Sequence, residues 1–263
     1  MTRVEELRHA IASHGRVLVL FSGGLDSALL SKLAYDALGA DAAALTIDSD
    51  VIPRSETTAA RAIAADIGIR QHVLRLSELE QEHFKSNPPN RCYHCRKVRD
   101  ALAWRWAGEH GFTTVADGLN HSDLSDYRPG LKAANEDRIW HPFIEFGVTK
   151  DEIRTLTRDL GLKDWDRPSM ACLASRFPHG SPVTPQGVDR VDRAEEYLRS
   201  LGFTRVRVRH FPYDLAVVEV DDPARAIAMR AQVVSRLREL GFSFVSLDLE
   251  DFASGKMNRT AGA

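Results

Sequence analysis

The feature that most narrows the possible folds is a single stretch, Arg16-Val-Leu-Val-Leu-Phe-Ser-Gly-Gly-Leu-Asp-Ser27. An apolar, β-type run stops at Ser22-Gly23-Gly24, and an alanine- and leucine-rich helical pattern starts directly behind it. Two adjacent glycines let backbone N–H groups turn inward, and the helix that follows adds the positive end of its dipole. Ser22 and Ser27 offer hydroxyls to the same place, so the turn reads as a cradle for a phosphate-type anion. It lacks the Gly-x-x-x-x-Gly-Lys-Ser/Thr spacing of a Walker loop and the Gly-x-Gly-x-x-Gly of a dinucleotide fingerprint.

The rest of the first half repeats this strand–helix alternation. Strands are expected at Val17–Phe21, Ala42–Ile47, Gln71–Leu76 and Thr113–Ala116, with helices at Leu25–Leu38, Ser55–Ile67 and Val98–His110. Alternation of this kind predicts an α/β fold, a doubly wound parallel sheet, over residues 1–168. Ligands of such sheets gather at the carboxyl ends of the strands. Asp48-Ser49 and Asp117-Gly118-Leu-Asn120 are therefore expected beside the glycine turn. Residues 169–263 read as a small α+β domain entered through the Pro/Gly-rich piece Phe177–Gly187. Its elements are a helix Val188–Leu201, strands Arg205–Phe211 and Leu215–Val220, a helix Pro223–Leu240 and a strand Phe242–Leu249.

Composition excludes several classes. With 35 Lys plus Arg against 37 Asp plus Glu, the net charge of −2 supplies no field to attract nucleic acid. No stretch is long and apolar enough for a membrane span. The N-terminus reads as a charged amphipathic helix and not as a signal peptide. Three cysteines, an odd number, argue against a secreted disulfide framework and for a cytoplasmic protein.

Three groups of residues carry chemistry. Asp26 lies in the glycine turn, where a carboxylate repels phosphate unless a cation intervenes, so it reads as a Mg²⁺-side residue; an early-helix acid that stabilises the dipole is the plainer reading. Cys92 and Cys95 sit three residues apart in Arg91-Cys-Tyr-His-Cys95, and Cys172 lies far along the chain. Three thiolates suit an iron–sulfur cubane with one open iron, or zinc completed by His94 or another histidine, or they are unrelated thiols. Arg205, Arg207 and Arg209 alternate on one strand and share a face. That row suits capture of phosphate or carboxylate, or pairs with Glu195, Glu196 or Glu219 as an ordinary strand face.

Ser22-Gly-Gly-Leu-Asp-Ser27 resembles the PP-loop of ATP pyrophosphatases. Together with Asp126-Tyr-Arg-Pro-Gly130, Cys172-Leu-Ala-Ser-Arg-Phe177, Ala194–Phe203, Arg205–Arg209 and Ser254-Gly-Lys-Met-Asn258, nearly the whole chain resembles the LarE branch of sulfur transferases. The resemblance implies an enzyme that uses ATP and Mg²⁺ to adenylate pyridinium-3,5-biscarboxylic acid mononucleotide, releasing pyrophosphate, and then replaces oxygen with sulfur for nickel-pincer nucleotide biosynthesis. One branch of that family consumes its own cysteine, at the position of Cys172, and leaves dehydroalanine. Another holds a 4Fe–4S cluster with three cysteines, and Cys92, Cys95 and Cys172 are similar to that set. By the same resemblance, Ser22, Gly23, Gly24, Asp26 and Ser27 bind nucleotide, and Glu195, Arg207 and Arg209 bind metal or substrate phosphate. Ser175 and Arg176 neighbour the sulfur site. Expected partners are a small nucleotide substrate, further copies of the chain in a homo-oligomer and a possible sulfide-donor protein. The alternatives are a tRNA-thiolating PP-loop enzyme, an ammonia-using synthetase and a zinc-stabilised binding protein.

Overall fold

A computed structural model of the chain describes residues 1–125, 129–163, 171–250, 252–253 and 256–257. These fall into two compact units, Met1–Leu76 with Cys92–Met170, and Ser77–Arg91 with Ala171–Ala263. Ser77–Arg91 thus groups with the second unit although its sequence position lies within the span of the first. The boundary expected at 168/169 lies outside the described residues.

The first unit is built on a four-stranded sheet in the order β3-β2-β1-β4, with β1 at Val17–Leu20, β2 at Ala42–Ser49, β3 at Arg70–Leu76 and β4 at Thr114–Ala116. Every pairing is parallel. Alternate strand residues point to opposite faces, and both faces are buried. Val17, Val19, Ala42 and Ala44 enter a core with the helices Arg3–Ser13, Leu25–Leu38 and Arg54–Ile67. Leu18, Ala43, Leu45 and Val115 enter a second core with Ala103, Trp106 and Ala107 of the helix Arg91–Glu109. Two covered faces explain why β1 is apolar throughout and why the chain alternates strand with helix.

The sequence pattern placed the start of the Arg91–Glu109 helix at Val98. The helix begins seven residues earlier, so Cys92 and Cys95 occupy its first turn. Cys, Tyr and His are weak helix formers, and the apolar periodicity that marks a helix is absent there. Among the described residues no helix is long and apolar enough to cross a membrane.

The second unit carries a three-stranded sheet in the order β5-β6-β7, with β5 at Val206–Phe211, β6 at Leu215–Val220 and β7 at Phe244–Leu247. β5 and β6 form an antiparallel hairpin, and β7 runs parallel to β6. The helix Pro185–Ser200, started by the Thr184 hydroxyl accepting from Gly187 N–H, buries Val188, Val191, Ala194 and Leu198. The expected helix Pro223–Leu240 is two helices, Pro223–Ala228 and Arg230–Glu239, interrupted at Met229.

Candidate active site

At the end of β1 the chain turns through Gly23, whose φ of 76° lies in the left-handed region. A Cβ there would stand 2.8 Å from Ala60 Cα, so both the conformation and the close approach require glycine. Gly24 caps the helix Leu25–Leu38 with no side-chain hydrogen bond to its first N–H groups. The helices Arg3–Ser13, Lys150–Asp159 and Pro185–Ser200 each have a threonine in that role. The uncapped end leaves N–H donors and positive dipole available to an anion. Ser22 Oγ lies 3.2 Å from Ser27 Oγ and accepts from Gly24 N–H at 3.2 Å, while Ser27 Oγ donates to Gly24 O at 3.0 Å. The cradle expected at Ser22–Ser27 is therefore a preformed turn whose hydroxyls set its shape.

Asp26 in this turn is not isolated. Lys150 Nζ donates to both of its carboxylate oxygens, at 2.6 and 2.7 Å. Lys150 is the first residue of a helix that a Thr149/Glu152 capping box fixes at its start. Its backbone N–H also donates to Ser122 Oγ at 3.1 Å. The Thr149-x-x-Glu152 spacing is a local signal for the helix start, but a contact to Asp26 from a helix more than a hundred residues away has no such signal.

The turn after β4 packs against the same cradle. A Cβ on Gly118 would lie 2.8 Å from both Asp26 C and Ser27 N, so its backbone rests on the peptide that opens the helix. Buried Asp117 beside it accepts from Arg96 Nη2 at 2.5 Å, from His141 Nδ1 at 2.6 Å and from Leu119 N–H at 3.0 Å. Burial pushes its carboxyl up, but the His141 hydrogen bond and the Arg96 charge outweigh burial and hold it below the usual carboxylate range. Arg96 also clamps Asp100 at 2.8 and 2.7 Å. For Asp100 burial dominates over Arg96, and its carboxyl is pushed up to about 6. Sequence reading marked the Asp117–Asn120 segment as a site edge and missed Arg96, Asp100, His141 and Lys150.

The second unit holds a different assembly. Arg176, 1% exposed, donates through Nε and Nη2 to the two oxygens of Glu195 at 2.8 and 2.9 Å. Glu195 also accepts from Arg199 Nη2 at 2.7 Å and Val208 N–H at 3.1 Å. Burial pushes the Glu195 carboxyl up, and the Arg176 charge more than reverses it, leaving it below the ordinary range. Arg176 Nη1 reaches the carbonyl oxygens of Ala171 and Cys172 at 2.8 and 3.2 Å and Ser175 Oγ at 3.0 Å, so it organises the segment around Cys172.

In the β5–β6 register Arg207 stands directly opposite Glu219. Glu219 nevertheless accepts from Arg209, the diagonal neighbour, at 2.6 and 3.0 Å. Arg209 Nη1 additionally donates to Ser175 O at 3.0 Å. Among the described residues Arg207 has no ion pair; it donates to Ala253 O at 3.2 Å and stacks 4.5 Å from the Phe252 ring centroid. Burial, with the charges of Arg209 and Arg176, lowers its guanidinium to about 10. Three guanidiniums (Arg176, Arg199, Arg209) thus share two carboxylates (Glu195, Glu219), and Arg207 adds a fourth positive charge outside those pairs.

Cys92 is exposed, Cys95 and Cys172 are half-buried, and none forms a disulfide. Cys92 and Cys95 share one helical turn in the first unit, a spacing that presents two soft donors on one side. Cys172 begins the short 3-10 turn Leu173–Arg176 in the second unit. Among the described residues no set of three or more His, Cys, Asp or Glu is grouped as a metal site. The Cys92–Cys95 pair offers two soft donors of the kind that suit a thiolate-bound metal. Asp126, Tyr127, Arg128, Ser254, Gly255 and Asn258 of the quoted motifs lie outside the described residues.

A protein-family profile described as asparagine synthase matches residues 4–87, which include the glycine turn. An uncharacterized protein of Synechocystis, slr1717, is 40% identical over 98% of this chain and 97% of its own length. A pyridinium-3,5-bisthiocarboxylic acid mononucleotide synthase of Lactiplantibacillus plantarum is 36% identical over 98% of this chain and 95% of its own. A 7-cyano-7-deazaguanine synthase of Novosphingobium aromaticivorans is 34% identical over 46% of this chain and 59% of its own.

Proposed function

The chain belongs to the LarE family of pyridinium-3,5-bisthiocarboxylic acid mononucleotide synthases, and from that premise we propose that it is an ATP-dependent sulfur transferase of nickel-pincer nucleotide biosynthesis. Its substrate is pyridinium-3,5-biscarboxylic acid mononucleotide. The observation that carries the reading is the glycine turn ahead of a helix N-terminus with no side-chain cap, whose backbone N–H groups suit the phosphates of ATP.

A carboxylate resists substitution because its leaving group would be oxide. When a substrate carboxylate oxygen attacks the α-phosphorus of ATP, pyrophosphate leaves and an acyl-adenylate forms. A sulfur nucleophile then attacks the acyl carbon, and AMP departs with the oxygen. In this reading Ser22–Ser27 hold pyrophosphate through backbone N–H groups. Asp26 would hold Mg²⁺, which would supply charge neutralisation at the phosphates, and the Lys150 ammonium beside Asp26 adds positive charge at the same place. Arg207 and Arg209 take the substrate phosphate, Arg207 foremost because no carboxylate among the described residues occupies it, and Ser175 neighbours the sulfur site. Glu195 acts through Arg176, whose guanidinium it orients beside Cys172.

We assign Cys92, Cys95 and Cys172 as ligands of a 4Fe–4S cluster, so that Cys172 is retained and not consumed. When bound, such a cluster supplies a transferable sulfide at its open iron. Assembly into a homo-oligomer and sulfide delivery by a donor protein complete the proposal. The test is to purify the protein without oxygen, measure iron, zinc and acid-labile sulfide, and follow AMP and thiocarboxylate formation. About four irons per chain, lost on changing any of the three cysteines, with AMP release that needs the pyridinium substrate, is the expected result. Zinc alone, dehydroalanine at position 172 after turnover, or thiolation of tRNA in its place would each overturn it.

A further inference from the structure

The Asp117 cluster has no part in the chemistry just described, yet it lies under the cradle. His141 is 8% exposed, its Nδ1 is 2.6 Å from Asp117 Oδ1, and its buried Nε2 has no hydrogen-bond partner among the described residues. The ionised Asp117 is an acceptor only, so the proton between them sits on Nδ1. The ring's single hydrogen bond therefore serves Asp117. Arg96 takes the other oxygen at 2.5 Å, and Asp100 fixes Arg96 from behind with two contacts of 2.8 and 2.7 Å. A backbone tie adds to this, Asp117 N–H to Trp140 O at 3.0 Å.

Asp117 in turn shapes the next residues. Its Oδ1 accepts from Leu119 N–H at 3.0 Å, which bends the chain so that Gly118 meets the Asp26–Ser27 peptide. The same loop continues through Asn120 Oδ1, accepting from Ser122 N–H at 3.0 Å, to Ser122 Oγ, which accepts from Lys150 N–H at 3.1 Å. One carboxylate thus anchors a loop that touches the cradle at Gly118 and the start of the Lys150 helix at Ser122.

We propose that His141 and Arg96 are positioning residues for nucleotide binding: by holding the two oxygens of Asp117 they keep the Gly118 backbone seated against the peptide that opens the cradle helix. The inference rests on the cradle being the ATP site. Loss of the His141 bond leaves a buried carboxylate oxygen short of a donor, and the loop relaxes away from the cradle. A mere contribution to folding would lower stability and nucleotide affinity together; positioning separates them.

Two variants make the separation. His141→Asn places an amide N–H near Nδ1 and keeps a donor for Asp117, whereas His141→Phe keeps a ring and removes the donor. Mg·ATP affinity by titration calorimetry and the thermal midpoint are measured for both and for the unchanged protein. The expected result is an affinity at least tenfold weaker in H141F and within about threefold of the original in H141N, with similar midpoints for the two variants. Equal affinity in H141F and the unchanged protein, or equal loss in both variants in step with the midpoint, overturns the proposal. If H141F does not fold, Gly118→Ala decides: a tenfold loss of affinity with the fold intact supports the seated loop, and full affinity refutes it. Failure of the unchanged protein to bind Mg·ATP is a separate outcome that overturns the nucleotide reading and this inference with it.

Discussion

The two units present their hydrogen-bond donors by opposite means. In the first, donors come from the backbone: a glycine turn and a helix end with no side-chain cap, whose polarity does not depend on which side chains surround it. In the second, they come from guanidiniums on β5 and the Cys172 segment, most already committed to buried glutamates. The backbone cradle is sterically exacting, because a Cβ at Gly23 would meet Ala60. The arginine cluster is held by charge pairing in a low-dielectric setting, where each partner's loss leaves an uncompensated charge. Steric precision thus governs one region and charge balance the other.

Removing a charge partner is the harshest break. Glu195→Ala leaves Arg176 buried without its carboxylate and is expected to cost about 3–5 kcal/mol of stability, measured by urea unfolding. A loss under about 1 kcal/mol would mean that water reaches the cluster and that the contrast is false. Gly23→Ala comes next: its Cβ has no room against Ala60 and its φ is unfavourable. It should lower stability by about 1–3 kcal/mol and Mg·ATP affinity at least tenfold in calorimetry.

Arg207→Lys sharpens the comparison, because Arg207 stands outside the ion pairs. Stability should stay within about 1 kcal/mol while KM for the pyridinium substrate rises roughly tenfold, since lysine loses the planar fork for phosphate. Equal KM would remove Arg207 from the substrate site. The mildest test is pH. Asp100 holds its proton to about pH 6 when folded but to about 3.8 when unfolded. The folded state binds more protons between those values, so this group's contribution to stability falls as pH rises through 6. Between pH 5 and 7 the unchanged protein should lose about 1 kcal/mol more than Asp100→Asn, read from denaturant midpoints at both pH values. Parallel profiles would show that Asp100 is ionised throughout.

Legibility divided along the same line. The run Val17–Phe21 predicts a strand, and β1 occupies Val17–Leu20; the helix expected at Leu25–Leu38 has those bounds. Parallel strand alternation was equally readable, because it follows from apolar runs and glycine turns. The early start of the Arg91–Glu109 helix was not, since its first turn lacks an apolar stripe. Nor was the choice of Arg209 over Arg207 by Glu219: in the sequence the two arginines occupy equivalent positions on one face. Lys150 and His141 gave no signal as site residues, being a helix-start lysine and a histidine before a proline.

By itself, then, the sequence determined where the backbone turns at Ser22–Ser27 and which segments of the first sheet are strand or helix. Those features depend on φ/ψ sterics and on periodicities of two to four residues, interactions that act between near neighbours. Only the tertiary structure decided which charges meet: Asp26 with Lys150, Arg176 with Glu195, Asp117 with His141 and Arg96. Such pairs join residues distant along the chain. Their strength comes from burial that exists only once the fold has excluded water around them.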